Sequence, residues 1–243
     1  METDALIRQI VDAHGGERFW NSLDSLTGTI SAAGFLFTAK KRKVLDHTRI
    51  SLSTRQPSFV FYDFPSKGIN SEWIGDKEVR ITSSSGEVIS QRSEPRKAFG
   101  DLKHFFAWDD LDFTYFAGYA TWNYLVTPFL FLRQGFRVEV MAAPKEHPSW
   151  TRLRVAFPED VPTHSPVQDF YFDEKKLLRR LDYTAEVVGG WAHAAHFCES
   201  YKDFGGIRVP TRRHVVPTLG SMVLPGPVLV KIEVHDLKPV TGK

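Results

Sequence analysis

The stretch 99–131 constrains this chain more than any other part of it. Phe105, Phe106, Trp108, Phe113, Tyr115, Phe116, Tyr119, Trp122, Tyr124 and Phe129 crowd into it, and no alternating strand pattern accounts for them. Trp108, Leu111, Tyr115 and Tyr119 recur at helical spacing, as do Phe116, Tyr119 and Trp122, and Thr127-Pro128 ends the last turn. The spacing predicts one or two helices here. Rings point to more than one side, while Asp109, Asp110 and Asp112 interrupt the run, so the segment should be buried against something large without spanning a membrane.

The remaining sequence supplies that partner. An amphipathic helix is expected over 3–14, with Leu6, Ile10 and Ala13 on one face, Thr3-Asp4 as cap candidates and Gly15-Gly16 as its stop. A turn around 18–23 follows. Strand-like segments then run over 26–33, 44–54, 58–63, 69–74, 77–82 and 86–92, and after the aromatic stretch over 136–142, 150–157, 166–173, 177–188, 191–203, 207–216 and 228–238. Their connections are short and carry turn residues such as Pro65-Ser66-Lys67-Gly68 and Gly75-Asp76. Segments 143–149 and 218–227 read as loops, with a mobile flap as one possibility. The expected class is α+β: one large antiparallel sheet curved into an open half-barrel, covered by the N-terminal helix and by a helical insertion at about 100–133, in a single domain over 1–243.

Three turns set the expected register of the C-terminal strands. A two-residue hairpin at Gly189-Gly190 places Tyr183 opposite His196, Leu181 opposite Cys198, Ala185 opposite Ala194, Arg180 opposite Glu199 and Glu186 opposite His193. Turns at Glu174-Lys175 and Gly205-Gly206 place Asp169 opposite Arg180 and Glu199 opposite Arg212, giving a charged ladder Asp169, Arg180, Glu199, Arg212 on the wet face. The dry face then carries Phe170, Phe172, Leu181, Ala185, Ala194 and Val215, with Gln168, Tyr183, His196, Cys198, Thr211 and Arg213 as polar exceptions. Buried polar groups need partners, so these satisfy one another or face a ligand. The strand 228–238 covers the edge beyond Val215, with Val228, Val230, Ile232 and Val234 alternating.

This order of elements, with a helix stopping at Gly15-Gly16, a helical insertion and a closing strand ending HDLKPV, is similar to the LolA/LolB-like half-barrel proteins. The stretches GYATWNYLVTPF, FYFDEKKLLRRLDY and FGGIRVPTRRHV also look like a bacterial family of unassigned function. The resemblance implies an incomplete barrel whose interior takes lipid acyl chains. The sequence has neither a leader nor a lipobox cysteine, so a role in lipoprotein sorting is not implied.

Tyr183, His196 and Arg213 share one face and could act as proton donor, general base and anion anchor; the bland alternative is a hydrogen-bonded core pair with the arginine at the sheet margin. His164, just before a strand, could reach the same region or be a solvated loop histidine. His193 and His196 have metal-ligand spacing only in a helix, and a strand is expected there, so no metal site is assigned. Cys198 reads as a small buried side chain rather than a nucleophile. Asp109, Asp110 and Asp112 read as solvated charges at a helix start rather than a carboxylate pair. No glycine-rich nucleotide loop or serine elbow is present in the sequence, and no cofactor is expected.

The function expected is the binding of a hydrophobic or aromatic small molecule between sheet and helices. Trp108, Tyr115, Phe116, Tyr119, Trp122, Gln168, Phe170 and Cys198 would line the cavity, and Tyr183, His196, Arg213 and His164 would hold a polar end. The alternative is an isomerase-, cyclase- or lyase-type enzyme using His196 and Tyr183 as acid and base without metal or nucleotide. A third possibility is an interaction module that uses exposed sheet edges. A net charge of +2 in 243 residues disfavours nucleic acid as a partner, and no uncharged run reaches spanning length. The N-terminus lacks a signal-like apolar region, so a cytoplasmic location is expected. The composition leaves the oligomeric state open.

Overall fold

The computed structural model describes residues 2–242. The N-terminal half contains α1 (Glu2–Ala13), α2 (Glu17–Trp20), β1 (Leu23–Ala33), α3 (Phe35–Ala39), β2 (Leu45–Ser53), β3 (Phe59–Phe61), β4 (Ile69–Ile74), β5 (Glu78–Ser83) and β6 (Val88–Ser93). Two helices follow, α4 (Leu102–Phe106) and α5 (Asp110–Val126), flanked by 3-10 turns at Pro95–Gly100 and Phe129–Leu132. Then come β7 (Arg137–Met141), β8 (Thr151–Ala156), β9 (Val167–Phe172), β10 (Leu178–Thr184), β11 (His193–Phe204), β12 (Ile207–Leu219), β13 (Met222–Val223) and β14 (Val230–Thr241).

The strands form one 14-stranded sheet in the order β6-β5-β4-β3-β2-β1-β14-β12-β11-β10-β9-β8-β7, with β13 attached to β12. Each half is a meander, and β14 joins them by pairing with β1 on one side and β12 on the other, both antiparallel. β6 and β7 are the two ends of this order, so the sheet is an open half-barrel.

α5 fills that half-barrel as its core rather than closing it as a lid. From Asp112 to Val126 every residue except Phe116 is buried. Three stripes do three jobs, which explains why the rings point several ways. Phe113, Phe116, Ala117, Ala120 and Tyr124 face a small apolar pocket. Tyr119 and Asn123 face the 162–164 loop, where Asn123 donates to the Pro162 carbonyl at 2.8 Å. Gly118 and Trp122 pack against Trp73 of β4, so closely that a Cβ on Gly118 would lie 2.7 Å from the Trp73 Cβ.

The helix start departs from the expected solvated carboxylates. Asp109 and Asp112 form a reciprocal capping box, and Asp112 is 1% exposed, bonded by Arg92 of β6 and by His104. Asp110, paired with Arg42, and Asp109, paired with Arg92, keep side chains 45% and 41% exposed, so only Asp112 is fully withdrawn from solvent. In α1 the buried face is Ile7, Ile10 and Val11, continued by the buried His14, so it is rotated from Leu6, Ile10 and Ala13. The short α3 falls where no element was expected.

Two of the three expected turns are wider than anticipated. In the β10–β11 connection, Ala185 pairs with Ala192, and only Gly189 of the two glycines has positive φ, which a two-residue type I′ turn does not allow. Tyr183 therefore lies opposite Ala194 and Leu181 opposite His196. β10 stops at Thr184 rather than 188, because the Glu186 amide donates to the His164 carbonyl instead of to β11. The β9–β10 turn gains one residue, since the Asp173 carboxylate accepts from the amides of Lys175 and Leu177, and the register slips once more at Arg179. Asp169 thus faces Asp182, not Arg180. The third turn is as expected, with Glu199 opposite Arg212.

The four-strand ladder is accordingly replaced by local pairs: Asp169 with Arg152 and Arg154, and Asp182 with Arg180. Each slip totals two residues, which preserves face parity. All twelve residues assigned to the dry face are buried. The segment 218–227 is not a long loop: Thr218 and Leu219 pair with Val223 and Met222 in a short hairpin.

Candidate functional site: a buried tyrosine–histidine–arginine cluster

Tyr124, near the C-terminal end of α5, is the centre of the polar cluster. Its side chain reaches the sheet because α5 lies along the concave face and ends there at Thr127. The Tyr124 hydroxyl is 2.6 Å from His164 Nε2 and 3.1 Å from the Tyr183 hydroxyl. The Tyr119 hydroxyl, five residues earlier on the same helix, is 3.1 Å from His164 Nδ1. A neutral imidazole accepts from one hydroxyl and donates to the other. His164 also stacks on Tyr183 at 4.1 Å between ring centroids.

Arg213 approaches from β12. It donates to the Tyr124 carbonyl at 2.7 Å and to Cys198 Sγ at 3.2 Å, with its guanidinium 5.3 Å from the Tyr124 ring centroid. It is 4% exposed, no carboxylate lies within ion-pair reach among the described residues, and its Nε has no partner. His196 of β11 meets the Tyr124 ring edge-on at 4.4 Å, is fully buried, and has neither ring nitrogen hydrogen-bonded. The Asn123 Oδ1 is also unpartnered.

Burial sets the protonation states. It lowers His164 to about 3, with the nearby Arg96 charge adding to the effect, and holds His196 well below the usual range, reinforced by Arg213. It raises the phenols of Tyr119, Tyr124 and Tyr183 and the Cys198 thiol, the last opposed by Arg213. At neutral pH the cluster is thus uncharged apart from one guanidinium.

Two hollows adjoin it. An apolar pocket of about 50 Å³ lies between α5, α3 and β14, lined by Tyr124 and Tyr183, by the buried Trp108 and by the half-buried Leu36 and Arg42 among others. A void of about 10 Å³, lined by Asn123, His164, Gln168, Phe170 and Arg213 among others, has room for about one water molecule. A larger concavity, about 970 Å³, lies on the opposite, solvent-facing side of the sheet, where Arg152, Arg154 and Arg180 are already paired with Asp169 and Asp182.

The structure thus gathers Tyr183, His196, Arg213 and His164 around Tyr124. It places Trp108, Phe116 and Tyr183 on the apolar pocket and Gln168 and Phe170 on the smaller void. It does not bring Tyr115 or Trp122 there: Tyr115 donates to Asp76 at 2.5 Å and receives a bond from Arg96, while Trp122 donates to the Ser53 carbonyl at 2.8 Å. Tyr119 bonds His164, and Cys198 touches the cluster through Arg213. His193 is exposed and 2.8 Å from the Thr184 hydroxyl, on the other face from His196. Among the described residues no three metal-ligating side chains converge. Nothing in the sequence marks Tyr124 as the hub, because it is one of twelve Phe, Tyr and Trp rings in 99–131 and its offset of five from Tyr119 is not a same-face spacing.

An open antiparallel sheet wrapped around one buried helix, with a polar cluster on its dry face, defines a LolA-like half-barrel. Two solved structures share this fold at a TM-score of 0.51 and 12% identity. One is a LolA superfamily protein from Nitrosomonas europaea, where the match covers 98% of this chain and 94% of that one. The other is a DUF1329 family protein from Desulfovibrio piger, with coverage of 99% and 94%. No protein-family model matches the sequence, and no curated protein matches it.

Proposed function

We propose that this chain binds a hydrophobic small molecule with an anionic end, its apolar body held between α5, α3 and β14 and its charge drawn toward Arg213. The observation that carries this is the buried Arg213 without a carboxylate partner, beside a His196 with two bare nitrogens and one tyrosine ring from an apolar pocket. A lone buried cation costs several kcal/mol unless something compensates it. A carboxylate-ended ligand is compensation of the right sign, and Tyr183 and Tyr124 offer it hydroxyl donors.

Small-molecule sites usually measure ~300–1,000 Å³, so the 50 Å³ pocket is a closed state. Opening requires Leu36, Phe37 and Trp108 to retreat, which is feasible because α3 has only five residues and the Trp108 indole N–H is unpartnered. The acid–base alternative has less support. A histidine held far below neutrality is a weak base and a raised phenol a weak acid, and Tyr183 and His196 share no hydrogen bond, with ring centroids 6.3 Å apart.

The test is fluorescence titration with a polyene fatty acid, preceded by native mass spectrometry of the purified protein for a co-purifying molecule. Arg213→Met should weaken the fatty acid roughly tenfold or more while leaving the melting temperature unchanged or raised, since an apolar replacement removes an uncompensated charge. Equal affinity for both proteins, or no binding by the wild type, rejects the proposal.

A further inference from the structure

We infer that the open end of the half-barrel docks on an anionic lipid bilayer. The paired positions Ala33–Lys231, Val230–Val215, Pro217–Ala194 and His193–Thr184 trace one end of the sheet across β1, β14, β12, β11 and β10. Large apolar side chains protrude just beyond that line: Phe35, Trp191, Leu219 and Met222 are 54%, 67%, 68% and 55% exposed. α4 adds Phe105 and Phe106, 53% and 62% exposed, with the Phe105 ring 6.5 Å from that of Trp191. These tips stand on separate turns and short helices rather than forming a flat patch or a free strand edge. Rings presented this way suit the headgroup region of a bilayer.

Charge selects the lipid class. Lys41, Lys43 and Lys103 are exposed beside these tips and have no carboxylate in ion-pair reach among the described residues, while the neighbouring Asp110 and Glu186 are taken up by Arg42 and Arg96. Asp101 at the start of α4 and the exposed Asp46 at the start of β2, whose partner is His47, are opposing charges. Three lysines against these two carboxylates leave the surplus positive, and lysines near an anionic leaflet are drawn to it. The apolar pocket lies behind this same end, with Leu36 and Arg42 in its lining. The inference stands on the geometry of this end, whatever the pocket holds.

Co-sedimentation of the full chain with vesicles tests it. Binding is expected to phosphatidylglycerol-containing vesicles at low salt, and to fall roughly tenfold or more on pure phosphatidylcholine or in high salt. Phe105→Ser with Trp191→Ser should weaken binding by a similar factor, and Lys41→Glu with Lys43→Glu and Lys103→Glu should abolish the preference for the anionic lipid. If the ring variant does not fold, quenching of wild-type tryptophan by brominated lipid replaces it, with a component that Trp191→Phe removes. Wild type that stays in the supernatant with anionic vesicles, ring variants that bind as wild type, or the absence of a Trp191-dependent quenched component each overturn the inference. Because the fatty acid titration is done without vesicles, its outcome and this one fail independently.

Discussion

His14, His164 and His196 all sit on the dry side of the sheet, and burial lowers the first to about 4, the second to about 3 and the third well below its usual value. Unfolding returns each to an ordinary value of ~6.5. Between the folded and unfolded values the unfolded chain carries more protons, so stability rises with pH there, is complete above ~6.5, and is lost as pH falls toward 3–4. Each histidine contributes on the order of 1 kcal/mol per pH unit in the middle of that window. Asp112, whose carboxyl is raised by burial, has the opposite sign at the acid end. Urea unfolding at several pH values should show a steep loss of stability below about pH 6, and His164→Asn should reduce the slope by about one proton. Stability that is flat from neutrality to about pH 4.5 would contradict the neutral, buried cluster.

Within α5 two residues make predictions that run against first expectation. Asp112 is buried and tied to Arg92, joining the start of the helix to β6. Removing one partner of such a pair strands a charge at a cost of ~3–5 kcal/mol. Arg92→Met should therefore lower the unfolding free energy by about that much, and adding Asp112→Asn should recover more than half. Calorimetry of the single and double variants decides it; no recovery in the double variant would mean the pair is not what holds the helix start. Gly118→Ala should gain ~1 kcal/mol in an ordinary helix. Here the new Cβ meets the root of the Trp73 side chain, which cannot swing away, and overpacking of this kind costs ~1–3 kcal/mol. A net loss of stability is expected, and a more stable variant would show that α5 and β4 are less tightly packed than their geometry states. The aromatic stretch declared a buried helix in the sequence, but not which carboxylate it buried. Three nearby aspartates look alike until Arg92, 20 residues away, is placed beside one of them.

At the scale of the whole chain, the meander order within each half and the face were readable in the sequence, whereas the β1–β14 pairing that joins the halves and two of the three registers were not. Face depends on odd and even positions, and both register errors are shifts of two, so Tyr183, His196, Cys198 and Arg213 still share the dry side. Turn length depends on distant groups, here the His164 carbonyl that captures the Glu186 amide, and no local pattern records that. The fold also predicts where the molecule opens. β11 and β12 are long, central and paired on both sides, whereas β6 and β7 are edges of six and five residues, and β6 carries the exposed Val88 and Ile89. Amide exchange should be slowest in β11, β12, β14, β1 and the middle of α5, and fastest in 86–93 and 137–150, because edge amides open by local fluctuation. If the 50 Å³ pocket is the closed state of a binding cavity, a fatty acid should slow exchange over 34–45 and 102–108, the segments around Leu36, Phe37 and Trp108, and leave the β6 and β7 edges unchanged. Protection that appeared instead over 142–154 and 168–184 would place the ligand in the solvent-side groove beside Arg152 and Asp182, and the interior reading would fall with it.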